Sequence, residues 1–199
     1  MIFPCITVIG RAAITVAILK IGKIPYELET VPGGPEFAAI QGDTSRFPLQ
    51  QVPVLTLPDG QIVTQSGAIA RYAAKLAGLY PEDPLLAIKV DEIIEAANDL
   101  GSSVPQNADN ELKKQLREAW TAGKLQKFLA FFATKAISGS YLVGGKLSLA
   151  DLYLYQSLKS LRNGQYDYVP SDVDAAYPAL GVFFDFLKAD PDFSPFAWT

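Results

Sequence analysis

Hydrophobic positions along this chain fall into two regimes. In the first, short apolar or alternating runs are broken by Gly and Pro. Ile2 to Ile9 is β-branched and apolar, which predicts a buried strand. From Arg11 to Lys20, residues Ala13, Val16, Ala17 and Lys20 recur at helical spacing, and Gly22 stands at a C-cap position. Tyr26 to Val31 predicts a second strand, entered through Ile24-Pro25. Pro32 to Pro48 is rich in Gly, Pro and polar residues, which predicts a loop with one short helix at most. Val52 to Leu57 then reads as a strand, Asp59-Gly60 as a two-residue turn with positive φ at both residues, and Gln61 to Val63 as the return strand. Gln65-Ser66 opens a helix from Gly67 to Ala77, with Ser66 as its N-cap, and Gly78 ends it.

After Leu79-Tyr80-Pro81-Glu82-Asp83-Pro84 the strand signals stop. Leu86, Val90, Ile93, Ala97 and Leu100 mark one helix face, and Leu112, Leu116, Ala119, Gly123 and Phe128 mark a second helix. A third helix starts at Ser148, where Ser148-Leu149-Ala150-Asp151 has the spacing of a capping box, and a fourth runs from Ala179 to Ala189. The order β-α-β-loop-β-β-α followed by helices alone predicts an α/β plus all-α chain. Its thioredoxin-like domain spans residues 1–79, a Pro-rich linker residues 80–84 and an all-helical domain residues 85–199.

Composition narrows the chemistry. A net charge of −4 with 17 scattered basic residues argues against phosphate-backbone binding, which needs clustered Lys and Arg. The absence of histidine removes a Ser-His-Asp triad, a His general base and most transition-metal sites. A single cysteine, Cys5, leaves no internal disulfide framework and no zinc cluster. Ala12 to Ile21 is apolar but too short to span a bilayer, and no cleavable leader is legible, so a cytoplasmic setting is expected.

Four signatures in order carry a resemblance: Gln51-Val52-Pro53-Val54-Leu55, Gln65-Ser66, Val90-Asp91-Glu92-Ile93-Ile94 with Asp99, and Gly145-Lys146-Leu147-Ser148-Leu149-Ala150-Asp151. The chain resembles the soluble glutathione transferases, closest to the sigma-like members of the tyrosine-type classes. That resemblance implies a glutathione site and a homodimer. Val52, before a cis Pro53, would pair its backbone with the cysteinyl part of the ligand, beside Gln51. Gln65 and Ser66, at a helix N-terminus, would hold the γ-glutamyl carboxylate. Asp99 would reach the γ-glutamyl ammonium bound to the other subunit. Phe37 falls near a family tryptophan, and Arg46 is the nearby cation for the glycyl carboxylate. The co-substrate would be glutathione, the second substrate a small hydrophobic electrophile, and neither metal nor nucleic acid is implied.

The family's thiol-activating tyrosine precedes a Gly-Arg-Ala. Here Gly10-Arg11-Ala12 is present without the tyrosine, and ungapped alignment puts Cys5 in its place. Cys5 would form a mixed disulfide with glutathione, as in the omega-like members, or it is a buried core residue. Thr7 would donate a hydroxyl as serine does in the theta-like members, with Arg11 adding positive potential. A third outcome is a catalytically weak member that binds hydrophobic ligands or a protein partner. Glutathione transfer to electrophiles, with peroxide reduction or isomerisation as side activities, is the expected function, because Val52, Pro53, Gln65, Ser66 and Asp99 are all present.

Overall fold

The computed structural model describes residues 2–5, 11–31 and 33–193. The chain divides between Tyr80 and Pro81 into two compact units.

In the first unit, β1 (Ile2–Cys5) leads to α1 (Arg11–Ile21), β2 (Glu27–Thr30) and the short α2 (Gly34–Ile40). Then come β3 (Leu55–Thr56), β4 (Ile62–Val63) and α3 (Ser66–Leu76). The strands lie in the order β2-β1-β3-β4, with β1 parallel to β2 and the other neighbours antiparallel. Alternation along the strands feeds two cores, as the two-residue period of a pleated sheet requires. Leu55 packs with Ala12 and Val16 of α1 and Ile69 of α3, whereas Val54 packs with Val31, Phe37 and Phe47. The cluster around Leu55 takes in Val63, and the one around Val54 takes in Ile62. Helix α1 is buried from Ala12 to Leu19, so its sequence is apolar nearly all round.

Two turns differ from the sequence reading. The hairpin is not closed by Asp59-Gly60 alone. Gly60 N–H donates to the Leu57 carbonyl at 3.0 Å, and Leu57 N–H donates to the Gln61 carbonyl at 2.8 Å. The loop is therefore Pro58-Asp59-Gly60, with only Gly60 at positive φ (85°). Pro58 suits the second position of a type I turn, and Gly60 supplies the left-handed residue that follows it. Gly22 does not end α1 through a left-handed conformation either; the positive φ belongs to Lys23 (50°). Gly22 is there because a Cβ would lie 2.6 Å from Ala77 Cβ, at the end of α3.

The second unit is wholly helical among its described residues. It contains α4 (Pro84–Ser102), α5 (Asn110–Ala122), α6 (Lys124–Lys135), α7 (Leu149–Arg162) and α8 (Pro178–Ala189). The single helix expected through Leu112 and Phe128 is two, broken at Gly123 (φ −113°, ψ −85°). Helix α7 packs against both α4 and α8 and buries Leu152, Leu154, Leu158 and Leu161. Its capping box is formed: Asp151 accepts from Ser148 N at 2.8 Å and Ser148 Oγ at 2.7 Å, and also from Leu142 N at 2.8 Å. No described helix is long and apolar enough to cross a membrane.

Candidate functional site

The registers of the sheet bring several chain ends together. β3 pairs antiparallel with both β1 and β4, so Pro53, just before β3, and Gln65, just after β4, lie at one sheet edge. β1 and β2 end at that edge as well, with Cys5 opposite Thr30. Ligands in open α/β sheets gather where strands end and helices begin. A shallow cleft, open to solvent, lies there, lined by Arg11, Leu49 and Gln51, by Val52 and Pro53, and by Thr64, Gln65 and Ser66.

Polar groups in the cleft are left open. The Val52–Pro53 bond is cis. Among the described residues, neither the N–H nor the C=O of Val52 makes a backbone hydrogen bond. The start of α3 is uncapped: Gln65 occupies the N-cap position with φ 70° and makes no capping hydrogen bond. Ser66 is the first helical residue rather than the cap, because the chain enters the helix through the left-handed Gln65. The first amides of α3 keep their donors and the positive end of the helix dipole. Left-handed backbone at a residue such as Gln costs on the order of 1 kcal/mol and persists only where the surroundings impose it. Gln50, between the lining residues Leu49 and Gln51, also has positive φ (52°).

The charge of the cleft is one-sided. Among the described residues, Arg11, exposed at the first turn of α1, is the cation that lines it, and no carboxylate does. The arrangement suits an extended peptide: backbone pairing at Val52, an anion at the start of α3 and positive potential from Arg11.

Of the residues expected from sequence, Arg11, Gln51, Val52, Pro53, Gln65 and Ser66 meet in this cleft. Phe37 does not line it; the ring is buried edge-on to Phe47 at 5.4 Å between centroids. Arg46 does not line it either, because its Nη2 donates to the carboxylate of Glu29 and its guanidinium lies 5.0 Å from the centre of the Phe47 ring. Asp99 is exposed on α4 of the second unit, and its carbonyl caps the helix end by accepting from Ser103 N at 3.0 Å. Cys5 ends β1, and Thr7 lies outside the described residues. Leu49 and Thr64 line the cleft without having been singled out. Their signal was adjacency to Gln51 and Gln65, and Leu49 is a large apolar side chain left half exposed.

In the second unit, Tyr155 stacks on Phe184 at 4.5 Å and 6° and is buried, as is Tyr153, so these aromatics belong to the core. Asp151 is fully buried, and burial pushes its carboxyl up to about 6 against the opposing pull of its three donors. Tyr141 donates to Asp190, and that bond, with burial, raises its phenol above the usual range. No cluster of His, Cys, Asp and Glu among the described residues could hold a metal ion.

Comparison with known proteins bears on both units. The family model described as the glutathione S-transferase N-terminal domain matches residues 12–76, and that of the C-terminal domain matches residues 98–197. Glutathione S-transferase 3 of Caenorhabditis elegans is 32% identical over 130 residues, which is 60% of this chain and 61% of the relative. The match thus spans about three fifths of that relative's length. Glutathione S-transferase alpha M14 of Sus scrofa is 31% identical over 90% of this chain and 77% of its own. Among solved structures, prostaglandin synthase D of Nilaparvata lugens is 27% identical, with a TM-score of 0.82 over 98% of this chain and 94% of its own. With matches to both domain models and relatives at this level of identity, the chain belongs to the glutathione S-transferase family.

Proposed function

We propose that this chain is a glutathione transferase that joins the thiol of reduced glutathione to small hydrophobic electrophiles. The observation that carries the proposal is the set of open polar groups in one cleft with no acid among its described lining residues: the Val52 backbone, the uncapped start of α3 and Arg11. Val52 pairs with the cysteinyl backbone, while Ser66, Gln65 and the first α3 amides hold the γ-glutamyl carboxylate. Asp99 of a second copy takes the γ-glutamyl ammonium in a homodimer. The setting is cytoplasmic, with the domain limits expected from sequence.

The chemistry required is thiol activation. A free thiol with a pKa near 8.5 is only a few per cent ionised at neutral pH. Lowering it by about two units stabilises the thiolate by about 2.7 kcal/mol. Arg11 supplies positive potential in the cleft, and Cys5 and Thr7 remain the candidates for direct contact with the sulfur. The thiolate then attacks the electrophilic carbon. A C–S bond forms, and the displaced group leaves with its electron pair, or an added electron pair takes a proton from solvent.

Isothermal titration with reduced glutathione, followed by turnover of an aryl halide, tests the proposal. Micromolar to low-millimolar binding with saturable conjugation is expected. No binding at millimolar ligand would overturn the site, and binding without conjugation would leave a ligand-binding member of the family. Unchanged turnover in Cys5→Ser would remove the cysteine from the mechanism.

A further inference from the structure

The cleft and the segment beside it carry opposite charge. Arg11 is the cleft's cation, but between residues 27 and 48 the chain has Glu27, Glu29, Glu36 and Asp43 against Arg46 alone. Arg46 is already engaged. Its guanidinium donates to Glu29 of β2 and lies over the Phe47 ring. Asp43 is a second anion beside it: its carboxylate accepts the backbone N–H of Ser45 at 3.1 Å and of Arg46 at 3.3 Å, and the hydroxyl of Ser45 at 2.5 Å.

Strand order decides which end of a peptide meets this segment. Gln65 follows β4 at one side of the sheet, Val52 precedes β3, and Glu29 lies in β2 at the far side. A γ-glutamyl tripeptide anchored at the start of α3 and paired on Val52 directs its third residue away from β4. Strands are about 4.8 Å apart. β2 lies two such spacings, about 10 Å, from β3. One more extended residue therefore directs the ligand's second carboxylate toward the acidic side without spanning that distance. The long side chain of Arg46 that could close the gap is paired with Glu29. Like charge there opposes the carboxylate, and no released guanidinium offsets it.

We infer that this chain reads its thiol peptide at the γ-glutamyl-cysteinyl end alone, Glu29 withholding Arg46 from the glycyl carboxylate, so that γ-glutamyl-cysteinyl thiols with an uncharged third residue are bound as well as glutathione. This rests on the glutathione site proposed above. Glu29 is a specificity-determining residue, acting through Arg46.

The test is titration of the full chain with reduced glutathione and with glutathione esterified at its glycyl carboxylate. The ester is expected to bind within twofold of glutathione, or more tightly. Glu29→Gln, at a half-exposed position, frees Arg46 and is expected to shift the preference toward glutathione by about threefold, the scale of an exposed charge pair. An ester more than threefold weaker than glutathione in the unmodified chain overturns the inference while the glutathione site stands. Equal binding of both ligands that Glu29→Gln does not alter overturns the role of Glu29. Binding of neither ligand overturns the site itself, and this inference with it.

Discussion

The helical unit caps three of its five described helices with side chains, whereas the helix that starts at the cleft of the α/β unit has none. In the helical unit, Asp83 caps α4 through Leu86 N at 2.9 Å, Asp109 caps α5 through Leu112 N at 2.8 Å, and Ser148 with Asp151 boxes α7. Even its buried Arg117 is satisfied, donating to the carbonyls of Pro105 and Asp167 and to Gln106 Oε1, each at 3.0 Å. In the α/β unit, α3 has no side-chain cap, Gln65 is left-handed, and Val52 pairs with no other backbone among the described residues. Buried polar groups that are paired hold a fold in one conformation. Open ones at a cleft await a ligand.

Removing a paired group should cost most. Asp151→Ala leaves three donors at a fully buried site without an acceptor, and is expected to lower stability in urea unfolding by about 3 kcal/mol. The same carboxyl sets a pH signature. Its folded pKa of about 6 lies above the unfolded value, so the folded state holds the proton more tightly. The contribution is greatest below pH 4 and is lost as pH rises through 6. The contribution of Asp151 should fall across that window by on the order of 3 kcal/mol. Asp151→Asn should lack that component of the slope, and equal slopes would show that Asp151 does not titrate there.

A steric test comes next. Gly22→Ala forces a methyl to within 2.6 Å of Ala77 Cβ and 3.0 Å of its Cα. A loss of about 2 kcal/mol in the α/β unit is expected, the usual cost of overpacking. No change in the unfolding midpoint would mean that α1 and α3 yield at this contact.

The smaller effects belong to the cleft. Arg11→Gln should raise the pKa of the bound thiol by about one unit and lower kcat/KM about tenfold at neutral pH. Thiolate absorbance of the complex against pH reads the shift directly, and an unmoved thiol pKa would exclude Arg11 from activation. Gln65→Gly relieves the left-handed backbone and should raise stability by up to about 1 kcal/mol while weakening glutathione binding. Changes of opposite sign in one variant would establish that the chain keeps an unfavourable conformation for the ligand's sake. Loss of both would make Gln65 a structural residue.

What was legible beforehand follows the range of the interaction. The α7 capping box could be read because Ser148 and Asp151 are three residues apart and bond within one turn. The hairpin could be located but not typed, since Pro58 joins the turn and leaves Asp59 outside the left-handed region. The α5–α6 break was hidden by apolar spacing that continues through Gly123, a residue that helices tolerate singly. Six of the candidate residues gather in the cleft because their motifs sit at chain ends that sheet registry brings to one edge.

By itself, the sequence determined the strand and helix order of the α/β unit, the change from strand to helix after Tyr80, the α7 capping box and the motif positions, all of which depend on neighbours within a few residues. Only tertiary structure decided that Phe37 turns into a core with Phe47, that Gln65 adopts a left-handed backbone, and that Gly22 is there for the sake of Ala77. It also decided that Arg46 is tied to Glu29, 17 residues away, across a pairing that no local propensity encodes. Packing and charge pairing between distant segments depend on which surfaces the fold brings face to face, and a residue's own type does not carry that information.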